Sequence, residues 1–269
     1  MHPRVCLHQV AFMGQSTTAF VAFCREAGID WMTMVNPHLL GPGTLPEAEA
    51  ALAQGGPRPM TLNQPFAHFP DIERDNGEAA ERLNEAIEAA ARLGAPQLYI
   101  VTGGRGSLDW EGAAQRLATL IAPCRDLAKA RGVRLLVENA NPFNADIHIA
   151  HTIDDTVRLA EMAGIGLCID LGACWYEGDL RTKFARAMPL TRLVQVSDYV
   201  LGDRSTPSRA VPGDGAVPLE RQIGWLLDAG YEGIFDLELV GPRIEAEGAA
   251  AASRRAAENL SEILVRLGA

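Results

Sequence analysis

Eight short apolar runs, each followed by a segment with helical spacing, constrain the fold of this 269-residue chain more than any other feature. Strands that alternate with helices form a parallel sheet, because parallel strands need crossover connections. Eight such units in this length predict a closed (β/α)8 TIM barrel, with residues 1–269 as a single domain, rather than an open doubly wound sheet. The runs lie near residues 4–11, 29–35, 58–64, 97–102, 133–139, 165–171, 192–198 and 233–239.

Capping residues and one proline predict the limits of individual helices. Thr152 is expected to begin a helix that stops at Gly164, because a threonine hydroxyl caps the first turn and a glycine tolerates the left-handed conformation after the last. Residues 110–131 also have helical spacing. Pro123 lies within them and is expected to kink or end that helix.

The net charge and the cysteine content narrow the class of protein. A formal net charge of −10 argues against a nucleic-acid-binding surface, which needs a basic face. No apolar run reaches the roughly 18–20 residues of a membrane span, and the N-terminal residues lack the pattern of a secretion signal. Five scattered cysteines without CxxC spacing are typical of reduced, buried thiols. We therefore expect a cytoplasmic protein that binds neither nucleic acid nor a membrane.

Three of the acidic side chains at the ends of the last four apolar runs are expected to converge at the mouth where a TIM barrel carries its active site. They are Glu138, Asp170 and Glu238. Three converging carboxylates in a pocket of low dielectric would repel one another unless they bound a cation. A set of oxygen ligands without a thiolate favours Mg2+ or Mn2+ over Zn2+. Gln195, in the seventh run, would complete this set with a neutral amide oxygen.

Two further aspartates in these runs have simpler interpretations. Asp198 ends the seventh run and Asp236 lies in the eighth. A single carboxylate at the end of a strand usually caps a helix or forms an ion pair in a loop. Asp198 is therefore expected to cap a helix, to form an ion pair in a loop or to assist the ligands indirectly, and Asp236 to pair with an arginine.

With these motifs the chain resembles the xylose-isomerase-like TIM barrels, the sugar phosphate isomerase/epimerase superfamily, over essentially its whole length. Many members carry histidine where this chain has Gln195, whereas the hydroxypyruvate-isomerase branch carries glutamine. The resemblance implies one divalent metal ion with four ligands, which are Glu138 in LLVEN, Asp170 in CIDLG, Gln195 in VQVSD and Glu238 in DLELVGP.

The resemblance also implies where the substrate binds. Arg209 begins a stretch, RAVPGDG, that is similar to the R-x-x-P-G-x-G motif of the family, whose arginine contacts substrate, and Asn141 matches an asparagine common to several branches. Ala173 stands where many members have a substrate-contacting histidine, and Asn144 where the free-ketose epimerases tend to have a glutamate. His68, beyond the third run, either replaces the missing histidine at the barrel mouth or is an ordinary loop residue.

The resemblance implies an isomerase or epimerase that acts on a small sugar, keto-sugar or hydroxy-ketoacid through an enediolate stabilised by the metal. Glu138 and Glu238 would remove and return the proton. A dehydratase or lyase acting on a keto-sugar, cyclitol or glycoside would use the same residues. An endonuclease-IV-type phosphodiesterase is disfavoured by the acidic charge and by only six histidines, and a non-catalytic binding protein by the presence of all four ligand positions. Related barrels are often dimers or tetramers, so a homo-oligomer is compatible with the resemblance.

Overall fold

A computed structural model describes residues 1–36, 39, 41, 43–67 and 71–269 of the chain. Eight parallel strands close into a barrel in chain order, and β1 pairs with both β2 and β8. This confirms the predicted TIM barrel. The strands are β1 (Val5–His8), β2 (Trp31–Val35), β3 (Arg58–Pro65), β4 (Gln97–Val101), β5 (Arg134–Glu138), β6 (Gly166–Asp170), β7 (Thr191–Val196) and β8 (Phe235–Leu237).

Helices follow the strands and cover the outside of the barrel, as a parallel sheet requires. Two short helices, Leu171–Cys174 and Pro242–Glu247, lie directly after β6 and close after β8, at the carboxyl ends of the strands. The helices are α1 (Thr17–Ala27), α2 (Thr44–Ala53), α3 (Glu78–Leu93), α4 (Trp110–Arg131), α5 (Ile153–Ala163), α6 (Leu171–Cys174), α7 (Leu180–Ala187), α8 (Leu219–Asp228), α9 (Pro242–Glu247) and α10 (Ala249–Arg266).

Helix α5 has the predicted limits, whereas α4 does not end at its proline. The Thr152 side chain accepts a hydrogen bond from the backbone N–H of Asp155, and α5 stops at Gly164, whose φ is 65°. Helix α4 continues through Pro123 to Arg131. A proline inside a helix costs about 3 kcal/mol, but the side chains on both sides of it, at 121 and 124, are buried in the core and favour a continuous helix.

The interior of the barrel sets the position of the site. A small apolar cluster from alternate strand positions fills its middle: Cys6, Tyr99, Leu136, Cys168, Leu193 and Ile234. Side chains two residues further along a strand point to the same side. Glu138, Asp170, Gln195 and Asp236 therefore face the interior one layer nearer to the carboxyl ends, and all four are buried.

Two findings bear on the expected environment of the protein. All five cysteines are buried and unpaired, as the scattered spacing predicts. No helix in the part of the chain that the structure describes is long and apolar enough to cross a membrane.

Candidate active site

Three carboxylates meet at the carboxyl-terminal mouth of the barrel. Glu138 ends β5, Asp170 ends β6 and Glu238 follows β8 directly. One oxygen from each of them lies within 4.8 Å of the others. The three acidic side chains that the sequence places at strand ends therefore lie close together in the structure.

Local contacts hold Asp170 in place. The Asn139 side chain accepts a hydrogen bond from the backbone N–H of Asp170 at 2.8 Å and donates one to its carbonyl oxygen at 3.0 Å. One carboxylate oxygen of Asp170 accepts from Gly172 N–H at 2.8 Å and so caps α6. A Cβ on Gly172 would lie 2.4 Å from the Ser197 hydroxyl and 2.7 Å from the Arg209 guanidinium. A larger residue at position 172 would therefore displace the side chains of Ser197 and Arg209.

The electrostatics of the cluster favour a bound cation. Burial, together with the charges of Glu238 and Asp170, raises the pKa of Glu138 well above its ordinary value. Burial likewise raises the pKa of Asp170 to about 7, against the opposing effect of Arg209. Glu138 is 6% exposed, and its carboxylate accepts no hydrogen bond from any described residue. A buried carboxylate without a donor is costly, and a divalent cation among these oxygens would remove that cost.

Arg209 provides the positive charge that faces the cluster in this structure. Its guanidinium donates to the second carboxylate oxygen of Asp170 and lies 3.4 Å from an oxygen of Glu238. Three carboxylates and one guanidinium leave an excess of negative charge. The residues present therefore fit a divalent cation with oxygen ligands.

Asp198 anchors the loop that carries Arg209. Its two carboxylate oxygens accept four backbone N–H bonds of 2.8 to 3.0 Å, and its own backbone pairs with Ala210. The four donors are Tyr199, Gly213, Gly215 and Val217. Among the described residues Asp198 therefore neither caps a helix nor forms an ion pair, and its carboxylate instead binds the backbone of a loop.

A cavity of about 280 Å³ lies next to Arg209 and Gly172, although none of the three carboxylates lines it. Its lining includes Arg209, Asn141, Trp175, Tyr176 and Tyr199. The Asn141 side chain also accepts a hydrogen bond from the backbone at 143, at 3.0 Å, so it is fixed at the start of a short turn. Two sequence-predicted substrate residues therefore share one cavity wall, while the third, His68, lies outside the described residues.

Gln195 lies beside the carboxylates, but its amide nitrogen faces them. The nitrogen lies 3.4 Å from Glu238 and donates to the Tyr99 hydroxyl at 3.1 Å. The amide oxygen accepts from the Cys168 thiol at 3.2 Å. The ligand atom that the sequence argument assigns to Gln195 thus points away from the cluster in this arrangement.

Two residues beneath the carboxylates have contacts that the sequence did not reveal. Tyr99 is buried in the interior, and its hydroxyl contacts both Gln195 and His8. His8 is a buried, hydrogen-bonded core histidine. The alternation of side chains along a strand places Tyr99 in the interior, but no local sequence pattern predicts its contacts across the barrel.

The expectation that Asp236 pairs with an arginine is wrong, because its carboxylate accepts a hydrogen bond from the Thr33 hydroxyl at 2.7 Å.

Comparisons with known proteins agree with this architecture. Inosose isomerase from Bacillus licheniformis is 20% identical over 271 residues, covering 97% of this chain and 98% of that protein. Fructoselysine 3-epimerase from Shigella flexneri is 22% identical over 192 residues, covering 69% of this chain and 67% of that protein. The solved structure of the IOLI protein with a binding zinc atom superposes with a TM-score of 0.84 at 17% identity, covering 98% of this chain and 99% of that one. At such identity, the structural likeness shows the fold alone.

The family model described as xylose isomerase-like TIM barrel matches residues 20–262, which is most of the chain and includes all three converging carboxylates. The match agrees with the resemblance drawn from the strand-end motifs. The chain belongs to the xylose isomerase-like TIM barrel family.

Proposed function

We propose that this protein is a divalent-metal-dependent isomerase or epimerase of a small sugar, keto-sugar or hydroxy-ketoacid. The observation that carries the proposal is the cluster of Glu138, Asp170 and Glu238, whose oxygens lie within 4.8 Å of one another at the mouth of the barrel. The similarity to proteins named inosose isomerase and fructoselysine 3-epimerase supports the class of reaction.

The proposed metal ligands are the three carboxylates and Gln195, and the proposed metal is Mn2+ or Mg2+. Ligands that are all oxygen favour a hard cation over zinc. The zinc atom named in the IOLI structure supports metal binding by this fold, although it is a different metal. A divalent cation bound there would stabilise negative charge on the substrate's oxygens.

The proton transfers are assigned to Glu138 and Glu238. Either carboxylate could take a proton from a carbon next to a carbonyl that the bound cation would polarise. Return of the proton to the neighbouring carbon gives isomerisation, and return to the opposite face of the same carbon gives epimerisation. Glu238 is the more accessible of the two, with 14% of its side chain exposed.

The substrate would be bound by Arg209, by Asn141 and by the aromatic side chains of Trp175 and Tyr176. A guanidinium donates to pairs of oxygens in a fixed geometry, which suits hydroxyl and carboxylate groups. Trp175 and Tyr176 line the same cavity and would exclude water from the reacting carbons.

The test combines metal titration with solvent exchange. The unsubstituted protein, stripped with a chelator, is titrated with Mn2+ and Mg2+ and then incubated in D2O with keto-cyclitols, ketohexoses and hydroxypyruvate. We expect one ion per chain and deuterium at the carbon next to a carbonyl, in a product with the elemental composition of the substrate. Loss of one water from the product would favour the dehydratase. Failure to bind a divalent ion, or to exchange protons on any of these compounds, would contradict the proposal.

Replacing Arg209 by methionine tests whether cation and guanidinium compensate the same charges. We expect Arg209→Met to destabilise the chelated protein by about 2 kcal/mol, because charged hydrogen bonds to buried oxygens are lost. Saturating Mn2+ should reduce the difference in melting temperature between the variant and the unsubstituted protein. The bound cation stabilises the folded state, and in the variant it would also compensate the carboxylate charges that Arg209 no longer compensates. Arg181→Met is the matched control, because Arg181 forms an exposed ion pair with Asp228. An equal deficit with and without Mn2+ would argue against shared compensation.

A further inference from the structure

A buried chain of polar groups runs beneath the carboxylate cluster. The backbone N–H of Val10 donates to Nδ1 of His8 at 3.0 Å. Burial lowers the pKa of His8, so its imidazole is neutral. With Nδ1 accepting, the imidazole proton must be on Nε2. That atom lies 2.8 Å from the Tyr99 hydroxyl, to which it therefore donates.

This proton order leaves the Tyr99 hydroxyl without an acceptor. The oxygen of Tyr99 faces two donors, Nε2 of His8 and the amide nitrogen of Gln195 at 3.1 Å. Tyr99 is 1% exposed, and no described residue accepts its hydroxyl proton. An unmade hydrogen bond of a buried donor costs about 1–3 kcal/mol.

Rotating the Gln195 amide by 180° gives the hydroxyl proton of Tyr99 an acceptor. The amide oxygen would then accept from the Tyr99 hydroxyl, and the amide nitrogen would donate to the Cys168 sulfur, now 3.2 Å from the oxygen. The orientation of such an amide is assigned from its hydrogen bonds. In the rotated form, however, the amide oxygen faces an oxygen of Glu238 at about the 3.4 Å that now separates nitrogen and oxygen. Two acceptors at that distance repel each other unless a cation lies near both.

We propose that Tyr99 is a positioning residue whose hydroxyl proton holds the amide oxygen of Gln195 towards the bound cation. The inference rests on the proposed metal-dependent function. Without a cation the amide presents its nitrogen to Glu238, and with a cation it presents its oxygen. His8 fixes the direction of the whole chain, because its Nε2 proton leaves Tyr99 with only one direction in which to donate.

The test is the Mn2+ affinity of the purified protein measured by calorimetry without substrate. We expect Tyr99→Phe to raise the Kd about 10- to 100-fold, the usual effect of removing a group that orients a metal ligand. In a Gln195→Leu background the same substitution should change the Kd less than about threefold, because Tyr99 acts through Gln195. Tyr231→Phe is the matched control, since it removes a buried tyrosine hydroxyl that donates to the backbone carbonyl of Ile234, and it should change the Kd less than about threefold.

The outcomes separate this inference from the proposed function. Binding of Mn2+ by the unsubstituted protein with an unchanged Kd in Tyr99→Phe overturns only the positioning role. No binding by the unsubstituted protein overturns both proposals. A second measurement avoids substitution: the tyrosine doublet in the Raman spectrum distinguishes a phenol that donates from one that only accepts. Adding Mg2+ should move one of the four tyrosines to the donor pattern, and an unchanged doublet would overturn the inference.

Discussion

Replacement of Glu138 by glutamine is expected to lower solvent-deuterium exchange into the substrate by at least about 1000-fold, the upper range for the loss of a general base. Glutamine has nearly the same shape but cannot take a proton from carbon, and it removes one negative charge from the proposed ion site. The Glu138 carboxylate accepts no hydrogen bond from any described residue, so its removal breaks no hydrogen bond. We therefore expect the folded protein to remain at least as stable as before when no metal is present.

The same measurement on Glu238→Gln distinguishes the two proposed proton carriers. If one carboxylate removes the proton and the other returns it, both variants should lose turnover, and one of them should retain exchange without product. Glu258→Gln is the matched control, because Glu258 is exposed on α10. Undiminished exchange in both Glu138→Gln and Glu238→Gln would contradict their catalytic role. Metal content, measured on each variant, separates a lost base from a lost ion.

The sequence predicts the three carboxylates for a reason that does not apply to the rest of the site. In a closed parallel barrel the carboxyl ends of all strands lie at the same mouth. The proximity of Glu138, Asp170 and Glu238 therefore follows from their positions at strand ends and does not require knowledge of side-chain packing. The contact between Tyr99 and Gln195 joins strands that lie far apart in the chain and depends on side-chain lengths across the interior. The direction of the Gln195 amide depends on protons, which no sequence pattern describes.

Asp198 shows the opposite limit, because the sequence identifies a motif but not the residue that holds it in place. RAVPGDG resembles a substrate-binding motif through its arginine, while nothing in the sequence links it to Asp198, eleven positions earlier. The structure shows that its carboxylate binds the backbone of this same loop. Gly215 is required there, since a Cβ would lie 2.3 Å from the carbonyl oxygen of Tyr199 and 2.4 Å from the Asp198 carboxylate.

Asp198→Ala is therefore expected to lower the free energy of unfolding by about 3–4 kcal/mol, because four backbone N–H groups lose a charged acceptor. Asp198→Asn keeps one acceptor oxygen and should lose about half as much. The measurement is urea unfolding of the metal-free protein. Asp228→Ala, which removes only an exposed ion pair with Arg181, should cost less than about 1 kcal/mol.

The anchoring role also predicts an effect on the site that a purely structural aspartate would not have. The backbone of Asp198 pairs with Ala210, the residue next to Arg209, so a loosened loop should withdraw the guanidinium from the cavity. We expect Asp198→Asn to weaken substrate binding about 10-fold while the Kd for Mn2+ changes little, since none of the proposed ligands lies on that loop. Equal losses of substrate and metal affinity would instead indicate that Asp198 supports the whole mouth of the barrel.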